Sequence, residues 1–245
     1  MWFGASIEAS YGCSWRGWGG AVGEAPQPAN DRLLPRSRRP QQVSAAAAAE
    51  SPAQGEKWID PAFHNKNAVR AALICGVVAA ASKGAVLLPG NVATYIHLLS
   101  YGVVLGAQVY TTFFAGITMF RNLPRQMFGK VQSRLFPIYF ALSAACFIAM
   151  IGTAAALGAL GQKQLVTLGV GLVSVLINLF GVEPWTTKIM FERYDLENTG
   201  QGDGERAKAL RKQFGAAHGI SSLVNLSTLV CLFEYGWQLA GKLAL

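Results

Sequence analysis

Between Pro61 and Val182 the chain contains no aspartate or glutamate: six of its thirteen acids lie at or before Asp60 and seven at or after Glu183. A water-facing surface carries both signs of charge, so an acid-free run of 122 residues excludes an ordinary soluble domain there. Eight Lys/Arg remain in the interval, and they fall between long apolar stretches, as segments that must sit in hydrocarbon require. Charged residues make up 14% of the whole chain, against about 25% in soluble domains. Mean hydropathy is +0.30. The residues describe a multi-pass membrane protein of the all-α class.

Four stretches are long enough to cross a bilayer. Tyr95 to Phe120 ends at Arg121 and Pro124. Ile138 to Leu160 is charge-free and follows Pro137, a residue suited to a helix start. Leu165 to Val182 meets Glu183-Pro184, which reads as a stop. Ala216 to Leu239 carries Tyr235 and Trp237 where an aromatic belt is expected. Ahead of them, residues 61–90 hold an Ala/Val-rich helix. Its apolar core, Ala71 to Ala81, is short for a span of about 30 Å, so it reads as an amphipathic or interfacial helix, with a fifth span as the alternative. The expectation is a bundle of four transmembrane helices, residues 91–245, with a preceding interfacial helix.

Residues 1–60 show no periodicity and are broken by many Gly and Pro. The cluster Arg32, Arg36, Arg38 and Arg39, followed by small residues, has the form of an organellar transit peptide, chloroplast or mitochondrial; the alternative is an unstructured tail. Cys13, Cys75, Cys146 and Cys231 are widely spaced and give no disulfide framework or zinc site. Asp195 to Arg206 imitates a calcium loop, but Arg206 stands where the bidentate glutamate belongs.

Orientation follows from the Lys/Arg count. Arg121, Arg125, Lys130 and Arg134 lie between spans one and two, and Lys188, Arg193, Arg206, Lys208, Arg211 and Lys212 between spans three and four. By the positive-inside rule these loops face the cytosol, or the matrix or stroma of an organelle, and both termini face away, unless a fifth span moves the N-terminus. The net charge of +8 is then loop charge facing anionic headgroups. It is not a nucleic-acid footprint, because the basic residues are not interleaved with aromatics on one soluble face.

In the first basic loop, Pro124 breaks the preceding helix, Gly129 permits a turn and Pro137 starts the next helix. Arg121, Arg125, Lys130 and Arg134 are thereby held near the membrane surface, either for anionic headgroups or simply to set topology. Glu183, at the boundary, reads as the partner of Arg121, Arg125 or Arg134, or as a cation or proton site. His218, Ser221, Asn225 and Thr228 share one face of span four, which should point into the bundle, and His97, Tyr101, Gln108 and Thr111 form a matching stripe in span one. Facing stripes can line a wet pathway or serve as interhelical hydrogen bonds. Gly102 and Gly106 form a G-x-x-x-G pair suited to a homo-oligomer contact.

The segment FRNLPRQMFGKVQSRLFPIYF (120–140), together with Glu183-Pro184-Trp185-Thr186-Thr187 and the block from His218 to Leu226, strongly resembles the transmembrane protein 205 family. The resemblance covers roughly Ala93 to Leu239. It implies a four-helix membrane domain with a broad association with export or vesicular sequestration of platinum drugs in animals. It supplies no catalytic residues and no cofactor. The expected function is transport or sequestration of a small solute or metal complex; the alternative is a non-transporting scaffold that engages anionic lipid. No enzyme motif stands in the apolar segments.

Overall fold

The computed structural model describes residues 66–243; the basic cluster expected to belong to a transit peptide, the small residues after it and Cys13 lie outside them. Among the described residues there are five helices and no strand. They are α1 (Asn67–Leu87), α2 (Gly90–Asn122), α3 (Arg125–Ala156), α4 (Gln162–Asn198) and α5 (Glu205–Leu243). The last four have the length and composition to cross a membrane, as the apolar segments predict. At 1.5 Å per residue even the 32 residues of α3 extend about 48 Å. That exceeds a hydrocarbon core of about 30 Å, so these helices project beyond it.

Three local expectations are corrected. Pro137 does not start α3; it is buried inside that helix, which begins at Arg125 directly after the extended Pro124. An interior proline is tolerated in a membrane helix where neighbours satisfy the freed backbone. Gly129 makes no turn. It is helical and buried, and a Cβ there would run into the Tyr194 hydroxyl and the Met190 sulfur, so its role is close approach of α3 to α4. Glu183-Pro184 does not stop the third span: α4 passes through a π-helical turn at Asn178–Val182 and continues to Asn198. A second π-helical stretch, Tyr110–Ala115, interrupts α2, with the Gly116 N–H reaching back to the Thr111 carbonyl.

The junction at Leu123-Pro124 and the turn at residues 199–204 lie at the end of the bundle that carries the basic clusters. The reversal at residues 157–161 lies at the other end, where Gly158 takes φ +62°, a conformation that favours glycine. The core forms around α3. Tyr139, Phe140, Ala144, Phe147 and Met150 pack on Val104 of α2, Leu168, Val175 and Leu179 of α4, and Leu232 and Tyr235 of α5. Leu223, Val230, Phe233 and Trp237 of α5, like Val166, Val170 and Val173 of α4, are exposed and present an apolar exterior to lipid.

The preceding helix, α1, lies lengthwise on α3. Its fourth residue, Arg70, reaches α4 near Glu183, while Ala81 lies against Gly152, where a Cβ would be 3.2 Å from its own. At the start of α2, Gly90 faces Leu157 at the end of α3. Helices α1 and α3 therefore run in the same direction.

Candidate functional site

Polar side chains occupy four levels of an otherwise apolar bundle. At the end away from the basic clusters is a cleft of about 110 Å³ bordered by Thr94, His97, Gln164, Tyr235, Gln238 and Lys242 together with apolar residues. His97 is buried, its Nδ1 2.8 Å from Thr153 Oγ1 and its Nε2 2.6 Å from Tyr235 Oη. Thr153 Oγ1 directs its single proton at the Ala149 carbonyl, 2.7 Å away, so it accepts from His97 Nδ1–H. His97 Nε2 is then the acceptor, and the Tyr235 hydroxyl donates to it. This leaves the lone pairs of Tyr235 Oη for the cleft. Gln238 spends its amide donors on Thr167 Oγ1 at 3.1 Å and Glu234 Oε1 at 3.0 Å, and its Oε1 is buried without a partner. Lys242 Nζ donates to the Ala159 carbonyl at 2.9 Å. The cleft wall is thus richer in acceptors than in free donors.

Midway along the bundle, the Tyr139 hydroxyl donates to Asn225 Oδ1 at 2.8 Å, and Asn225 Nδ2 donates to Thr112 Oγ1 at 3.1 Å, which joins α3, α5 and α2. Gln108 is fully buried beside Tyr139, yet neither of its amide atoms has hydrogen-bond geometry to a partner. One layer on, Ser221 Oγ donates to Asn178 Oδ1 at 2.9 Å and Asn178 Nδ2 to the Ser221 carbonyl at 3.2 Å; Ser174 and Ser227 are 2.9 Å apart. Because neither Gln108 amide atom reaches good hydrogen-bond geometry beside the Tyr139 hydroxyl, Gln108→Leu should leave thermal unfolding in detergent unchanged or raise it. Asn225→Leu should cost about 0.6–1.7 kcal/mol. A large loss in Gln108→Leu would show that its amide is engaged after all.

Near the basic end, Glu183 does not pair with Arg121, Arg125 or Arg134. Its Oε2 lies 2.8 Å from Nη2 of Arg70, both side chains at most 5% exposed, while Thr187 Oγ1 donates to Oε1 at 2.9 Å. Arg125 pairs with Glu197 and stacks over Tyr194, and Arg121 and Arg134 are exposed. Lys130 is half-buried. The basic cluster is therefore split: Arg125, with Arg193 and Glu197, ties α3 to α4, and Arg121 and Arg134 point outward.

The two predicted stripes meet at a single link, and not through the expected residue. Thr112, not Thr111, bonds Asn225: it stands four residues beyond Gln108, a spacing that shares the same helical face. Ser221 turns to α4, His97 borders the cleft, and Tyr101 packs edge-on against Tyr235, its hydroxyl donating to the Leu232 carbonyl at 3.3 Å. His218 does not face inward; it is exposed and stacked on Phe214 with ring centroids 5.9 Å apart. Trp237 is exposed, whereas Tyr235, expected in the aromatic belt, is buried on His97. Gly102 and Gly106 lie on the exterior with nothing against them. Arg70, Tyr139, Thr153 and Asn178 were not among the sequence candidates. The signal for Tyr139, Thr153 and Asn178 was that each is one of a few polar residues inside an apolar run, beside Ser143 in one run and Thr167 and Ser174 in the other.

Residues 99–195 match a protein family described as a domain of unknown function, DUF4149. Xanthocillin biosynthesis cluster protein D of Aspergillus fumigatus is 28% identical over 147 residues, which is 60% of this chain and 88% of that protein. An uncharacterized protein of Aquifex aeolicus is 29% identical over 136 residues, 55% of this chain and 86% of the other. Transmembrane protein 205 of Danio rerio is 38% identical over 52 residues, covering 21% of this chain and 28% of its own length. No solved structure matches the chain.

Proposed function

We propose that this multi-pass membrane protein moves a small polar solute across its membrane, with the cleft at His97 and Tyr235 as the entry site on the side away from the basic clusters. The observation that supports this reading is the stacking of polar levels through one apolar bundle: His97 and Tyr235, then Tyr139 and Asn225, then Asn178 and Ser221, then Glu183. Polar groups at membrane depth are costly and mark solute pathways when they face the bundle interior. A cleft of about 110 Å³ admits only a small molecule or ion. The middle levels are closed by their own hydrogen bonds, so the arrangement corresponds to a state shut toward the basic end. The resemblance to the transmembrane protein 205 family points the same way.

The test is flux through liposomes containing the full chain, with trapped pyranine reporting protons and vesicle swelling reporting urea. The wild-type protein should carry at least one of the two several-fold faster than protein-free vesicles, and Asn225→Leu and His97→Leu should abolish the excess while remaining folded. If neither probe crosses faster than through bare lipid, the reading fails.

The exposure of Arg121 and Arg134 supports a second reading, a protein that holds anionic headgroups at its basic end, where each cation is worth about 1 kcal/mol. The outward face at Gly102 and Gly106 suits a second copy of the chain.

A further inference from the structure

The carbonyl of Leu179 has no donor available along its own helix. In an α-helix it would accept from the N–H of Glu183, but in the π-helical turn that N–H goes to the Asn178 carbonyl. The next donor along the chain would be residue 184, which is proline and has no N–H. Beside this orphaned carbonyl stands the Glu183 carboxylate, with Oε1 accepting from Thr187. The result is a cradle of carbonyl and carboxylate oxygens at the end of a broken turn, the kind of place where membrane proteins hold cations.

Arg70 fills it. Its Nη1 donates to the Leu179 carbonyl at 2.6 Å and its Nη2 lies 2.8 Å from Glu183 Oε2. A planar guanidinium presents parallel N–H groups, so one nitrogen donates to the carbonyl while the next forms an ion pair with the carboxylate. Arg70 is 2% exposed, although most of the apolar residues around it on α1, including Leu73 and Val78, are exposed. A helix lying on the membrane surface would turn its arginine to water and its apolar face to the bundle; α1 does the reverse. From Asn67 to Leu87 it has 21 residues, about 31 Å of helix. That matches a hydrocarbon core of about 30 Å. Its Arg70 end lies at the level of Glu183 and its Ala81 turn at the level of Gly152 near the far end of α3.

We propose that the oxygens of Leu179 and Glu183 form a guanidinium site that seats α1 as a fifth membrane-crossing helix, with the start of α1 on the same side as the basic clusters. This places Lys66 opposite the reversal at residues 157–161, not beside it. The inference does not depend on whether a solute crosses the bundle.

The test uses the full chain with Cys13, Cys75, Cys146 and Cys231 replaced by serine, in sealed right-side-out and inside-out vesicles treated with a membrane-impermeant maleimide. Lys66→Cys should label in the same vesicle orientation as Lys208→Cys and the opposite one from Lys163→Cys. Labelling of Lys66→Cys together with Lys163→Cys overturns the crossing. In the same background, Ala81→Cys with Gly152→Cys should cross-link on oxidation. Adding Arg70→Met or Glu183→Gln should lower the yield several-fold, and Arg70→Lys should retain more of it than Arg70→Met. If Gly152→Cys impairs folding, Ala81→Cys with Ile151→Cys replaces the pair. Equal yields with and without the charge pair overturn the seating role of the cradle.

Discussion

Glu183→Leu should lower the stability of the folded bundle by about 3–5 kcal/mol, as removal of one member of a buried ion pair does elsewhere. The loss arises from the partner left behind: the Arg70 guanidinium stays buried with only the Leu179 carbonyl to face, and a neutral carbonyl does not replace a carboxylate. Arg70→Met is expected to cost less, because a stranded carboxyl can take up a proton and the Thr187 hydroxyl still reaches it. The double variant Arg70→Met, Glu183→Leu should recover most of the loss, since an apolar pair of similar volume suits lipid-buried surroundings. Unfolding midpoints of the three variants in one detergent supply the cycle. Additive losses would mean that the two side chains act independently and that their 2.8 Å approach is energetically idle.

Gly171→Val should also destabilise the bundle, by about 1–3 kcal/mol. Gly171 is buried on α4, and a Cβ at that position would enter the ring of Phe147, which is fully buried on α3. Phe147 cannot swing aside, because Leu168, Val175 and Leu179 of α4 and residues of α5 belong to the same core. Pairing Gly171→Val with Phe147→Leu should restore part of the stability by vacating the volume the valine needs. The measurement is again the unfolding midpoint. A Gly171→Val protein as stable as the parent would show that α3 and α4 are not held at the separation described.

The spans were legible because hydrocarbon imposes a requirement on every side chain that enters it, and the absence of acids from Pro61 to Val182 records that requirement directly. Their ends were less legible. Helices such as α3 and α4 project past the lipid, so proline at 137 and Glu183-Pro184 looked like boundaries when they lie within continuous helices. The polar stripes were read with two adjacent threonines near one face, and spacing alone did not separate them: Thr112, not Thr111, meets Asn225. Tyr235 and Trp237 are two residues apart and behave oppositely, one buried on His97 and one facing out; an aromatic near a helix end carries no mark of which it will do. The partner of Glu183 was out of reach of sequence reasoning for another reason. Helix α1 buries an arginine and exposes leucine and valine, so no periodicity of apolar residues could announce the face on which it packs.

The broad turns in α2 and α4 bear on how such a bundle moves. A helix that stores one surplus residue can hand it to the neighbouring turn without unravelling at either end, because each such transfer exchanges one backbone hydrogen bond for another. In α2, passing the surplus from Tyr110–Ala115 toward Gln108 would rotate Thr112 off Asn225 and bring a different side chain to that spot, while the cleft around His97 stays intact. In α4 the same transfer would give the Leu179 carbonyl back to the N–H of Glu183 and dismiss Arg70. Both helices thus carry a sliding dislocation beside a polar contact, and a bundle built this way can change which groups meet at its centre while its ends stay fixed.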